Sequence, residues 1–150
     1  MLSGELYNPL DEELCEARLR ARLLFKALNR LDEGQAAEKS RIIRELLPDA
    51  GEGLWLEPPF YCDYGTHIRM GERVFINFNC VILDVAHVTI GARTLVGPNV
   101  QSYAASHPLD YRVRAAGLES GRAVFIGEDV WIGGNVVICP GVRIGARSVI

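Results

Sequence analysis

No stretch of this sequence approaches the ~18 consecutive apolar residues that a membrane-spanning helix needs. Its first residues, MLSGELYNPLDEEL, have neither a basic start nor an apolar run, so no secretory signal is expected there. A basic excess is missing as well. Lys and Arg total 16 against 19 Asp and Glu, a net charge of -3, which argues against a nucleic-acid or anionic-membrane partner. Cysteine is scarce: Cys15, Cys62, Cys80 and Cys139 form no CxxC and lie at no zinc-finger spacing from a histidine. A disulfide framework and a zinc ribbon are thereby disfavoured. Reduced cysteines packed as small hydrophobes, in a cytoplasmic protein, are expected. What the chain does have is apolar content. With 49% hydrophobic and 23% charged residues over 150 positions, it suits one folded domain and not a disordered segment.

The first third carries a helical pattern. Leu14, Ala17, Ala21, Leu24, Phe25, Leu28 and Leu31 step by three and four, which is one stripe of an amphipathic helix. Asn8-Pro9 marks a turn before it, Asp11 is the expected N-cap, and Glu12 and Glu13 suit the positive end of the helix dipole. Gly34 separates a second helical stretch through Ala36, Ile43, Leu46 and Leu47, which Pro48, Gly51 and Gly53 end.

The texture then changes to a period of six. Ile126, Ile132, Ile138, Ile144 and Ile150 keep one register, with Val130, Val136 and Val142 each four residues after an Ile. Met70, Ile76 and Ile82 show the same period earlier; the register slips by two and resumes at Ile90 and Val96. Residues 103–122 break the pattern and contain His107-Pro108. A helix cannot keep a repeat of six on one face, whereas a short strand plus a turn can. Three such units make a triangular coil of about 18 residues, and coils stack as parallel strands. The glycines that follow the inward aliphatic, such as Gly127 and Gly133, are expected to supply backbone freedom at the turn. The fold class is therefore mainly β: a parallel β-helix of hexapeptide repeats over 54–150, with a loop inserted at about 103–122. An N-terminal α-helical segment occupies 1–53.

The residues go further than the period. The stretches GELYNPLDEELCEARLRAR, LEPPFYCDYGTHIRMGERVFINFNCVILD, SHPLD and IGEDVWIGGNVVICPGVRIG, in this order and spacing, closely resemble the maltose and galactoside O-acetyltransferases, the maltose type above all. The resemblance covers Gly4 to Ile150. It implies a left-handed β-helix, an exception to the usual right-handed crossover. It also implies a homotrimer with active sites between neighbouring prisms. Acetyl-coenzyme A would be the co-substrate, a sugar hydroxyl the acceptor, and no metal would be required. The helical segment would cover the acceptor site. Relatives of this kind continue past the rung that Ile150 opens, with coils that complete the coenzyme pocket.

Site residues follow from the same resemblance. His107 matches the general base, a role that imidazole suits because its ordinary pKa lies near ~6.5. Glu119, in GLESG, would orient or charge-stabilise the imidazolium. Arg18, Asp63, Asn77, Asn79 and Asp84 would face the acceptor, although Asn79 could equally adopt a left-handed turn or ladder with other rungs. Trp131 would lie along the pantetheine arm, Gly133 and Gly134 would offer amides to the thioester, and Ser106 with Ala105 would shape the tunnel. Arg143 and Arg147 could meet coenzyme phosphates or simply be solvated. Two departures stand out. Pro9 occupies the place of an acidic acceptor-binding residue of galactoside-type members, with Asp11 as its nearest substitute, and Phe75 replaces a Tyr. The phenol donor lost at Phe75 argues for an acceptor unlike a galactoside. Two alternatives compete with acetyl transfer: a non-catalytic trimeric scaffold or pseudoenzyme, and a γ-type carbonic anhydrase using His67, His87 and His107 as metal ligands.

Overall fold

The computed structural model describes residues 1–150. Two helices lead, α1 (Glu12–Leu28) and α2 (Ala36–Leu46). The stripe read from the sequence faces inward. Ala21 and Leu28 are fully buried, and Leu14, Ala17, Leu24 and Phe25 pack against the core. Asp11 does occupy the N-cap position, but its side chain makes no capping hydrogen bond. The end of α1 is fastened instead by Asn29. Its side-chain amide donates to the Phe60 carbonyl at 3.0 Å and its Oδ1 accepts from the Phe60 amide at 2.9 Å.

The remainder is a three-walled prism of parallel strands, a left-handed β-helix. The first wall holds β1 (Trp55–Leu56), β4 (Phe75–Ile76), β7 (Leu95–Val96) and β12 (Trp131–Ile132). The second holds β2 (Phe60–Cys62), β5 (Cys80–Leu83), β8 (Gln101–Tyr103) and β13 (Val137–Ile138). The third holds β3 (Ile68–Met70), β6 (Val88–Ile90), β11 (Val124–Ile126) and β14 (Arg143–Ile144). The interrupting segment forms β9 (Ala105–Ser106), the short helix α3 (Tyr111–Ala115) and β10 (Ser120–Gly121), with β9 and β10 paired antiparallel. The inward aliphatics of the hexads, Ile76, Ile90, Ile126, Ile132 and Ile138 among them, fill the prism.

The coils are not uniform. Partners in the first coils stand twenty residues apart, as Phe75 with Leu95. Across the insertion they stand thirty-six apart, as Leu95 with Trp131, and at the end eighteen, as Phe125 with Arg143. Every lengthening falls at one corner, between the second and third walls. The extra residues lie around Asp63 and Asp84, and the whole insertion leaves from the same place. The register slip in the sequence is therefore a property of one corner of the prism.

The glycines have a different role from the one expected. Gly71, Gly91 and Gly127 do not carry positive φ; a Cβ on any of them would lie 2.4 to 2.5 Å from backbone atoms of the next coil. They permit close stacking. The left-handed residue of each turn comes two positions later, at Arg73, Arg93 and Asp129 on one corner, while Asn79, Asn99 and Asn135 take that role on another. No helix of the structure is long and apolar enough to cross a membrane.

Candidate active site

The lengthened corner carries a cleft of about 340 Å³. Four separate parts of the chain line it. Pro9 and Leu10 come from the N-terminal segment, and Arg18 and Arg22 from one face of α1. Asp63, Tyr64, Leu83 and Val85 come from the prism corner, and Ala105, His107 and Glu119 from the insertion. Of the residues expected at the site, the structure thus brings His107, Glu119, Arg18 and Asp63 together.

The insertion presents His107 immediately after β9, where its side chain is exposed. The chain beyond it is set by local chemistry. Asp110 caps α3 by accepting from the Arg112 amide at 2.8 Å, and the Arg114 guanidinium donates to the Pro108 carbonyl at 2.7 Å. Ser106, half-buried, pairs with Ser120 across the β9–β10 ladder and stands next to the imidazole in sequence. Glu119 is held from the other side. Its Oε2 accepts from the Tyr7 phenol at 2.9 Å, and the two residues exchange backbone hydrogen bonds.

Asp84 and Arg18 are used differently from expectation. Asp84 is fully buried, so it does not face an acceptor. Its Oδ1 accepts from the amides of Asp63 at 3.0 Å and Tyr64 at 2.8 Å, and its Oδ2 from the amide of His67 at 3.3 Å. It builds the corner and presents Asp63. Burial, and then the Asp84 charge, push the Asp63 carboxyl up to about 6, against the pull of Arg18. Arg18 donates to the Tyr64 hydroxyl at 2.8 Å, to the Pro9 carbonyl and to Cys15 Sγ at 3.3 Å. These bonds make it a strut between the cap and the prism. Arg22, one helical turn later, lines the same cleft and is exposed.

The other expected residues lie elsewhere on the chain. Asn77 and Asn79 sit at the corner between the first and second walls. Asn77 Oδ1 accepts from the Phe78 amide at 2.7 Å, and Asn79, with φ of 59°, donates to Asn99 Oδ1 at 2.8 Å. The laddering alternative describes Asn79. Trp131 is 57% exposed on the first wall, and Gly134 is exposed at the corner beyond it. The Gly133 amide is not available to a thioester, because it donates to the Ile150 carbonyl at 2.8 Å. Arg143 stacks over the Phe125 ring at 4.7 Å. The three histidines do not converge as a metal-binding set. His67 and His87 meet edge to face at 6.0 Å and His67 Nδ1 engages the Asp84 carbonyl, whereas His107 lies on the insertion.

Sequence reasoning missed Tyr7, Tyr64 and Arg22. Arg22 had a usable signal, since it follows Arg18 by four residues and so shares its helix face. Tyr7 had none, because its partner lies 112 residues away.

With this geometry in hand, comparison with known proteins is direct. A family model described as the maltose acetyltransferase hexapeptide capping motif matches residues 1–51, and one described as bacterial transferase hexapeptide (six repeats) matches 123–150. Nodulation protein L of Rhizobium meliloti (strain 1021) is 49% identical over 142 residues, covering 95% of this chain and 78% of that protein. A galactoside acetyltransferase solved in complex with coenzyme A superposes with a TM-score of 0.95 at 38% identity, over 98% of this chain and 74% of that one. A hexapeptide-repeat acetyltransferase of Vibrio cholerae O1 biovar eltor, complexed with acetyl coenzyme A, gives 0.90 at 47% identity, over 99% and 80%. The chain belongs to the hexapeptide-repeat acetyltransferases of the maltose and galactoside O-acetyltransferase family.

Proposed function

We propose that this chain transfers the acetyl group of acetyl-coenzyme A to a hydroxyl of a maltose- or glucose-like sugar within a ternary complex. The observation that carries this reading is the convergence of His107, Glu119, Arg18 and Asp63 on one cleft from three separate parts of the chain. The coenzyme A and acetyl coenzyme A held by two similar structures support the donor.

His107 takes the proton of the acceptor hydroxyl as its oxygen attacks the thioester carbonyl. The new C–O bond forms, the C–S bond breaks, and the sulfur leaves with the proton that the imidazolium returns. Glu119 stabilises that imidazolium. Asp63 and Arg22 meet the sugar hydroxyls, while Arg18 holds the Pro9 wall and Tyr64 in place. On the donor side, Trp131 lies along the pantetheine arm and the Gly134 amide meets the developing oxyanion.

The donor-side residues, with Asn77 and Asn79, occupy a different corner of the prism from His107. One chain therefore supplies only half of each site, and a neighbouring copy supplies the rest. A homotrimer satisfies this by symmetry. The outward stripe of Trp55, Leu95 and Trp131, at 60%, 50% and 57% exposure, supports contact there between copies.

The test is thiol release from acetyl-coenzyme A in the presence of glucose, maltose and galactosides. Release that depends on glucose or maltose is expected, with weaker response to galactosides. Absence of acceptor-dependent release, together with no coenzyme A binding by calorimetry, would contradict the reading.

A further inference from the structure

The reaction just described leaves the first eight residues of the chain without a chemical role, yet one of them is tied to the cleft. Tyr7 faces Glu119 as an isolated antiparallel bridge. The Tyr7 amide donates to the Glu119 carbonyl at 2.9 Å, and the Glu119 amide donates to the Tyr7 carbonyl at 3.1 Å. These two bonds hold the segment against the insertion. Tyr7 as a whole is only 8% exposed, so its apolar burial supplies the packing. Neither attachment needs the hydroxyl.

The hydroxyl has its own partner. Tyr7 Oη donates to Glu119 Oε2 at 2.9 Å. Burial first, and then this bond to a carboxylate, push the phenol well above its ordinary value, so it remains a donor throughout the working pH range. The terminal torsion of a free Glu is broad, and a bond to one oxygen removes that freedom. The other oxygen, Oε1, is left uncommitted in a cleft that His107 also lines. Two residues further on, the Pro9 carbonyl accepts from Arg18, so the segment is anchored at both ends of the cleft wall.

We propose that Tyr7 is a positioning residue for acetyl transfer: its phenol fixes the Glu119 carboxylate in the orientation that serves the His107 imidazole. The inference rests on His107 acting as base with Glu119 as its partner. Tyr7 is not part of the cleft lining.

Tyr7→Phe keeps the ring and both backbone bonds and removes only the donor. Its kcat is expected to fall roughly tenfold, inside the ~10²-fold that misplacing a reacting group costs. KM for both substrates is expected to stay within about twofold, because ground-state binding is untouched. The decisive reading is a double-mutant cycle with Glu119→Ala. In that background Tyr7→Phe is expected to change kcat by less than about twofold. A role in packing alone gives the same loss in both backgrounds, with a lowered Tm, and overturns the proposal. So does a Tyr7→Phe enzyme with full kcat. His107→Ala, assayed alongside, separates the two layers. If it is inactive while Tyr7→Phe is unaltered, only the role of Tyr7 falls; if it keeps near-native turnover, the underlying reading falls with it.

Discussion

At the scale of single residues, the most unusual group is Asp63. Its carboxyl titrates near 6 because burial and the neighbouring Asp84 disfavour the charge more than Arg18 favours it. A carboxyl whose pKa is raised by folding stabilises the protein fully below its unfolded value, and that stability is lost as pH rises through about 6. Asp63→Asn is therefore expected to raise Tm at pH 7.5 and to leave it almost unchanged at pH 4, which thermal unfolding at both pH values checks. On the proposed role, in which the ionised carboxylate accepts from sugar hydroxyls, the same substitution is expected to raise the acceptor KM above pH 6 and to flatten the pH dependence of that KM. Under that role stability and function oppose each other at this position. A second residue tests the core. Ser102 is buried among the inward aliphatics, and its Oγ has no hydrogen-bond partner. Ser102→Ala removes an unsatisfied hydroxyl and is expected to stabilise by about 1 kcal/mol in chemical denaturation.

At the scale of elements, the period of six made the walls legible, because inward aliphatics recur where each strand faces the interior. The helical cover was legible for the same reason at a period of 3.6. The chemistry of the connections was not. Asn29 looks like any polar residue after a helix, yet it satisfies both backbone groups of buried Phe60. Asn29→Ala leaves them unpaired and is expected to cost about 2–4 kcal/mol, read from urea midpoints at constant slope. The glycines were misread because positive φ and close approach leave the same mark in sequence. The register slip of two residues was visible, but not that it lengthens the corner where the cleft forms. Asp84 shows the limit most clearly. The pattern grouped it with Asn77 and Asn79 as an acceptor residue, and only the fold shows that it lies at another corner with its oxygens facing the amides of Asp63, Tyr64 and His67.

At the scale of the whole molecule, the prism separates the two halves of the proposed site onto different corners and leaves an apolar stripe on the first wall. Leu95 sits in the middle of that stripe, paired with Phe75 and Trp131. Leu95→Glu is expected to convert the proposed trimer into monomers in sedimentation equilibrium and to abolish turnover, while leaving the far-ultraviolet circular dichroism unchanged. The cleft itself belongs to a single chain, since the cap, the lengthened corner and the insertion all meet on it. The proposed chemistry therefore depends most directly on the one imidazole that the insertion delivers there. The decisive measurement is kcat of His107→Ala with acetyl-coenzyme A and the best sugar acceptor. A loss of roughly 10²–10⁴-fold with coenzyme A binding retained is the expected result. Turnover close to that of the unaltered enzyme would contradict the assignment of His107 as the base.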